Sequence, residues 1–121
     1  MESIQTISSG LANFYGTEHY HRWSVLFPHV LTDGANFLAE KAQCFWWMDM
    51  IVSHMPQGKE TFCVAKLERK QGNSFTFTLT DGNYKVLATQ EIEYSDFPLD
   101  SYELFVQYSN DRWFIMLKSE Y

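Results

Sequence analysis

The feature that most constrains this fold is an unusually apolar stretch from Thr32 to Met55. Apolar residues recur in it at intervals of three and four, which predicts an α-helix, and two such rows merge into one wide arc. Trp47 and Met50 add apolar surface on the side that should be polar. Such a helix must be covered by its own fold or by a partner. The stretch therefore predicts one long central helix, with a bend expected near Lys41–Gln43.

The segments on either side of this helix complete an α+β pattern. Residues Glu2–Tyr15 carry apolar side chains at helical spacing, which predicts an N-terminal helix. The part after the long helix alternates apolar and polar residues, most regularly in Ser74–Thr80, as strands with one buried face do. Five such segments predict an antiparallel meander: 61–69, 74–80, 84–94, 102–108 and 113–118. We therefore expect a single α+β domain over residues 1–121, with both helices packed on an antiparallel sheet of about five strands.

The connection between the two predicted helices contains residues that predict an extended segment and a turn. Residues Thr17–Phe27 are rich in β-branched and aromatic side chains, which predicts an extended segment that Pro28 interrupts. Leu31–Gly34 predicts a turn, in which the Thr32 or the Asp33 side chain caps the long helix. Pro56–Gly58 predicts the end of that helix.

Composition and charge argue against several classes of function. The chain has 121 residues, 45% hydrophobic and 17% aromatic, so it can bury a core without metal or disulfide bonds. A net charge of −6 and scattered basic residues argue against binding DNA or RNA through phosphate contacts. No apolar run approaches the roughly 20 residues that span a membrane, and no secretory signal is visible, which predicts a cytoplasmic protein. Cys44 and Cys63 are predicted to be buried free thiols, with a disulfide as the alternative.

Asp49 is the most informative polar residue of the long helix. It lies in line with Leu38 and Phe45, where an apolar residue is expected, so the pattern predicts that it is buried. A buried carboxylate needs a partner, which Arg22, His21 or a backbone turn could supply. Two interpretations remain: an anchor that ties the helix to the Tyr20–Trp23 segment, or a catalytic or ligand-binding acid.

The histidines offer a possible metal site. His19 and His21 stand two residues apart on the extended segment, so they point to the same side. A zinc site would need His29, His54 or a carboxylate as a further ligand, and no cysteine pair or His-Glu-x-x-His pattern accompanies them. We therefore predict two partly exposed imidazoles, with no metal and no other cofactor. No nucleophile elbow, phosphate loop or dinucleotide motif points to catalysis.

Two classes of function are compatible with these residues. The surplus apolar surface of Trp46, Trp47 and Met50 predicts a non-catalytic interaction protein, with a second copy of the chain as the simplest partner and another protein as the alternative. The other class is a small-molecule-binding protein or minor enzyme with an aromatic-lined pocket. The polar contacts of that pocket would be Asp49, His21 and Tyr20. Neither class involves nucleic acid or a membrane.

A set of short segments spans nearly the whole chain: Phe14–Glu18 with Tyr20, Thr32–Gly34, Phe37–Ala42, Trp46–Asp49, Ser53–His54, Phe97–Leu99 and Leu117–Tyr121. Together they resemble a family of small uncharacterised bacterial proteins, a domain of unknown function often found with plasmid- and phage-borne genes. The resemblance implies a cytoplasmic accessory of mobile DNA, in sharper form an inhibitor of host defence. It brings no established activity, cofactor or catalytic residue. Gln43 departs from the pattern where a small residue is expected, and Lys118 where proline is expected.

Overall fold

A computed structural model describes residues 4–23, 29–54, 61–83, 85–109 and 112–121, which form a seven-stranded sheet and three short α-helices. The predicted breaks at Pro28 and Pro56–Gly58 lie outside these residues. In chain order the elements are α1 (Ile4–Leu11), β1 (Tyr20–Arg22), β2 (Val30–Thr32), α2 (Asp33–Lys41), α3 (Phe45–Ser53), β3 (Phe62–Arg69), β4 (Phe75–Asp81), β5 (Val86–Ile92), β6 (Ser101–Ser109), β7 (Arg112–Leu117) and a 3-10 helix (Lys118–Glu120).

The sheet is mixed, and the prediction of an antiparallel sheet of about five strands is wrong. Its strand order is β1-β2-β7-β6-β3-β4-β5, and β2 pairs with β7 in parallel, with Leu31 opposite Ile115. The five segments predicted from alternation are present as β3 to β7. The two additional strands, β1 and β2, have three residues each. Three residues are too few for alternation to be visible in a sequence.

The prediction of one long central helix is also wrong, because the chain breaks between α2 and α3. Gln43 has a φ of 53°, in the left-handed region through which no right-handed helix continues. The Cys44 N–H donates to the Ala39 carbonyl at 2.9 Å and the Gln43 N–H to the Glu40 carbonyl at 3.4 Å. These two bonds form the Schellman motif that commonly ends helices. The bend expected near Lys41–Gln43 is thus a complete end of one helix.

Glycine at position 43 is expected to stabilise the protein. A side chain with a Cβ pays a steric cost of roughly 1 kcal/mol at positive φ, which glycine avoids. Glycine also raises the entropy of the unfolded chain, which offsets part of this gain, so we expect Gln43→Gly to increase the free energy of unfolding by a net of about 0.5 kcal/mol. Urea unfolding measures the change. Gln43→Ala keeps the Cβ and is the control; an equal gain in both variants would contradict a strained position 43.

Because the chain breaks between α2 and α3, a different side of α3 faces the core from the one that a continuous helix would present. In a continuous helix, at about 100° per residue, Asp49 would follow Leu38 onto the core side. In α3, however, Asp49 is exposed and Phe45 is half-buried. The predicted burial of Asp49 is therefore wrong, and so is the predicted placement of Trp47 on the polar side. The buried residues of this helix are Trp47, Met48, Ile51 and Val52.

The core lies between the helices and one face of the sheet. On β4, Phe75, Phe77 and Leu79 are buried and alternate with threonines that are not, as the sequence predicts. Cys44 and Cys63 are buried free thiols, which confirms that prediction. Burial raises the pKa of the Cys44 thiol to about 12, so this cysteine stays protonated and unreactive at neutral pH.

The start of α2 is tied to the 3-10 helix that follows β7. Of the two predicted caps, Thr32 and Asp33, Thr32 caps α2, because its Oγ1 accepts the Ala35 N–H at 3.3 Å. The same hydroxyl donates to Glu120 Oε1 at 2.6 Å, and that oxygen also accepts the Leu117 N–H at 3.0 Å. Glu120 Oε2 accepts the Gly34 N–H at 2.9 Å. One carboxylate thus satisfies donors at the first turn of α2 and at the end of β7.

Candidate functional site

A cleft lies between the edge strand β1 and the helices α2 and α3. Its volume is about 690 Å³, which falls within the usual range of small-ligand sites. Aromatic rings and charged or amide groups from these elements form the lining: Tyr20, His21, Arg22, Trp23, Asn36, Glu40, Phe45 and Asp49. A mixture of rings and a few oriented polar groups is what a binding site needs for affinity and for specificity.

Asp49 joins α3 to the residue that follows β1. Its Oδ1 accepts a hydrogen bond of 2.8 Å from Nε1 of Trp23. The sequence suggested a link from Asp49 to the Tyr20–Trp23 segment through Arg22, His21 or a backbone turn. The link exists, but the indole makes it, and at an exposed carboxylate rather than a buried one. Because the indole holds one oxygen, the carboxylate has a defined orientation at the cleft wall.

Glu40 is oriented in a similar way from α2. Asn36 Nδ2 donates to Glu40 Oε1 at 3.0 Å, and residues four apart lie on the same side of a helix. Phe45 and Asp49 reach the same cleft from the first two turns of α3. The end of α2 at Gln43 therefore matters for the site, because it lets two separate helices each supply a carboxylate.

His21 is held in the cleft wall by Asp33, the first residue of α2. His21 Nε2 lies 2.8 Å from Asp33 Oδ1, and Asp33 Oδ2 accepts the Glu18 N–H at 3.0 Å. The pKa of Asp33 is lowered to about 2, first by the hydrogen bond from the Glu18 backbone and next by the bond with His21. Asp33 is therefore a fixed anion at neutral pH, and it orients the imidazole through one ring nitrogen.

The second histidine of the predicted pair is placed differently. His19 precedes β1 and is exposed, whereas His21 is half-buried and paired with Asp33. Among the residues that the structure describes, no three His, Cys, Asp or Glu side chains are arranged to hold a metal ion.

The other three predicted site residues lie away from this cleft. Trp47 has no exposed surface, and its ring meets that of Phe97 edge-on with 5.7 Å between centroids. Trp46 is half-buried and lines a separate depression near Tyr94. Met50 is half-buried against the core. The structure thus brings Tyr20, His21 and Asp49 together and separates them from Trp46, Trp47 and Met50.

Sequence reasoning did not single out four residues of the cleft lining: Trp23, Asn36, Glu40 and Phe45. In the sequence, Trp23 is only the limit of an extended segment, and the apolar pattern places Phe45 in the core. The spacing of Asn36 and Glu40 is a weak signal, since residues four apart on a helix face one another. Nothing in the sequence pointed to Asp33 as the partner of His21, because Asp33 was explained fully as a helix cap.

A second concavity, of about 510 Å³, has Phe114 and Met116 of β7 in its lining together with Tyr121 and Glu120. Tyr20 lines both concavities, and its ring contacts that of Phe114 edge-on at 5.1 Å between centroids. The Glu120 carboxylate already accepts three hydrogen bonds from the protein. The one acid in the described lining of this concavity is therefore held by the protein through both oxygens, whereas Gln107 and Ser109 add neutral polar groups.

The comparisons with known proteins identify the family. The model of a family of unknown function, DUF6876, matches residues 5–121. The chain belongs to the DUF6876 family. This confirms the resemblance to a family of unknown function seen in the sequence, while the bacterial and mobile-DNA setting of this DUF6876 protein stays a prediction. No curated protein and no solved structure matches the chain significantly.

Within the described part of this DUF6876 protein, no helix combines the length and the apolar character needed to cross a membrane.

Proposed function

We propose that this protein is a non-catalytic binding protein whose ligand occupies the cleft between β1, α2 and α3. The observation that supports the proposal best is the convergence of aromatic and oriented polar groups on this one concavity. Tyr20, Trp23 and Phe45 offer apolar walls, and Glu40 and Asp49 are held by neutral donors. Such preorganised groups lower the cost of ordering the site when a ligand binds.

The chemistry of the lining favours binding over covalent catalysis. His21 is oriented by Asp33, as general bases often are. In covalent catalysis a base of this kind activates a serine, threonine or cysteine of the enzyme, and none of the described lining residues is of these types. The buried Cys44 thiol, with a pKa of about 12, is also unsuited to nucleophilic attack.

Self-association is a second proposed function, and half-buried Trp46 supports it. Trp46 lines a depression with Ile92, Tyr94, Ser95 and Asp96, and Tyr94 is 70% exposed. Aromatic residues at such positions are enriched in protein interfaces. Fully buried Trp47 can take no part in this surface. The cytoplasmic, mobile-DNA and host-defence setting is proposed from the family resemblance alone.

The four tryptophans allow one experiment to distinguish the two proposals. We would label the protein with 5-fluorotryptophan and assign its ¹⁹F resonances by single Trp→Phe substitutions. Trp23 reports on the cleft and Trp46 on the separate depression, whereas buried Trp47 is an internal reference. A fragment screen at up to about 1 mM is expected to yield ligands that shift the Trp23 resonance alone.

A blocking variant provides the control for this screen. Asn36→Phe places a ring at the cleft wall and is expected to abolish the Trp23 shifts. Gln107→Phe, in the lining of the second concavity, should leave them unchanged. Shifts that persist in Asn36→Phe, or a screen without any Trp23 response, would overturn the cleft proposal. A Trp46 resonance that does not move on dilution, together with a monomeric mass, would overturn self-association.

A further inference from the structure

The charges of the cleft lining point to the class of ligand that it takes. We propose that the cleft binds a guanidinium group, an inference that rests on the proposed binding function. Among the lining residues that the structure describes, the two acids, Glu40 and Asp49, lie on different helices, and three aromatic residues share the cleft with them. A planar cation that can bond to carboxylates and stack on rings fits this combination.

Neutral hydrogen-bond donors orient both carboxylates. Asp49 Oδ1 accepts from the Trp23 indole and Glu40 Oε1 accepts from the Asn36 amide. Both donors are neutral, so neither bond cancels the negative charge of the acid. Each carboxylate has a second oxygen with capacity for a charge-assisted hydrogen bond, which is about twice as strong as a neutral one.

The remaining charged groups do not reverse this preference. Arg22 also lines the cleft, and this residue has an interaction of its own in the structure. Among the lining residues that the structure describes, the carboxylates of Glu40 and Asp49 outnumber the one guanidinium group, that of Arg22. The whole chain carries −6, which attracts a cation over a longer range. An anionic ligand would meet both carboxylates and is disfavoured.

A guanidinium fits better than an ammonium group because of its shape. Its planar face can stack on Trp23 or Phe45, and its several N–H groups can reach more than one acceptor in the same plane. An ammonium group is a compact, strongly hydrated point charge and gains less from flat aromatic walls. The rings are therefore the part of the site that selects between the two cations.

The test compares a capped arginine, N-acetyl-arginine amide, with the isosteric capped citrulline, which lacks the charge. The Trp23 ¹⁹F shift gives the dissociation constant of each probe. We expect arginine to bind about tenfold more tightly, because one or more charge-assisted hydrogen bonds are lost with citrulline. Asp49→Asn and Glu40→Gln keep an oxygen for Trp23 and Asn36 and should largely remove the preference. Asp100→Asn removes one negative charge in the same way, from a residue outside the described cleft lining, and should preserve the preference.

The possible results distinguish a failure of the guanidinium proposal from a failure of the cleft as a binding site. Equal binding of arginine and citrulline at Trp23 would overturn the guanidinium proposal while the cleft remained a binding site. Neutral or anionic fragments that shift the Trp23 resonance when arginine does not would also overturn the guanidinium proposal and leave the cleft a binding site. No Trp23 response to any compound would overturn both. A preference that survives in both Asp49→Asn and Glu40→Gln would show that these carboxylates do not recognise the cation.

Discussion

Trp47→Ala is expected to lower the free energy of unfolding by about 3–5 kcal/mol, the usual cost of removing a large buried aromatic side chain. Trp47 has no exposed surface, packs edge-on against Phe97 and forms part of the core between α3 and the sheet. The loss combines the transfer free energy of the ring with the cavity left behind. Equilibrium urea unfolding, followed by circular dichroism because the indole itself is removed, measures it.

Two further variants make this result interpretable. Trp46→Ala removes a ring of equal size that is only half-buried, so we expect a loss of about 1–2 kcal/mol. Trp47→Phe keeps an aromatic ring and removes an indole N–H that has no acceptor among the described residues. It should therefore retain much more stability than Trp47→Ala and stay measurable if the alanine variant does not fold. Equal losses for Trp46→Ala and Trp47→Ala would contradict the observed orientation of α3.

Glu120→Ala is expected to cost about 2–4 kcal/mol, because it removes a carboxylate that accepts three hydrogen bonds from groups at two distant parts of the chain. The donors are the Thr32 hydroxyl and the backbone N–H groups of Gly34 and Leu117. Without the acid, the first turn of α2 loses an anion at its positive end and the end of β7 loses a partner. Urea unfolding at neutral pH gives the change.

The control for Glu120→Ala is another carboxylate in an ion pair. Asp100 bonds to Arg69 at 3.0 Å but is 94% exposed, so Asp100→Ala should cost no more than about 1 kcal/mol. Glu120→Gln is expected to lie between the two, since its amide keeps one acceptor and places a donor near an N–H group. If Glu120→Ala behaved like Asp100→Ala, the link between α2 and the 3-10 helix would contribute little to stability.

The alternation of apolar and polar residues is sufficient to predict the longer strands. Phe75, Phe77 and Leu79 alternate with threonines, and this period depends only on neighbouring residues, so β4 could be recognised without knowing its partners. β1 lies within the predicted extended segment Thr17–Phe27, but neither β1 nor β2 alternates visibly, because three residues cannot establish a period. Their existence depends on pairing with each other and, for β2, on a parallel partner 84 positions away, as in the pair Val30 and Phe114. Long-range pairing is not visible in local sequence.

The end of α2 at Gln43 could not be predicted from the sequence. A helix commonly ends at glycine in the left-handed conformation, and this chain uses Gln43 there. The sequence therefore shows no glycine at the end of α2, and the apolar periods of α2 and α3 look like one continuous helical pattern. The error displaced Asp49 into the core and Trp47 towards the surface, although the family resemblance did predict a small residue at position 43.

The sequence by itself determined the five longer strands, a helix cap at Thr32 or Asp33 and the buried thiols, because each follows from short-range periodicity or from the chemistry of one residue type. Only the tertiary structure decided that β1 and β2 join the sheet, that α2 and α3 are separate helices, and that Trp23, Glu40 and Asp49 line one cleft. These features depend on contacts between residues far apart in the chain, whose free energy outweighs the local preferences that a sequence displays.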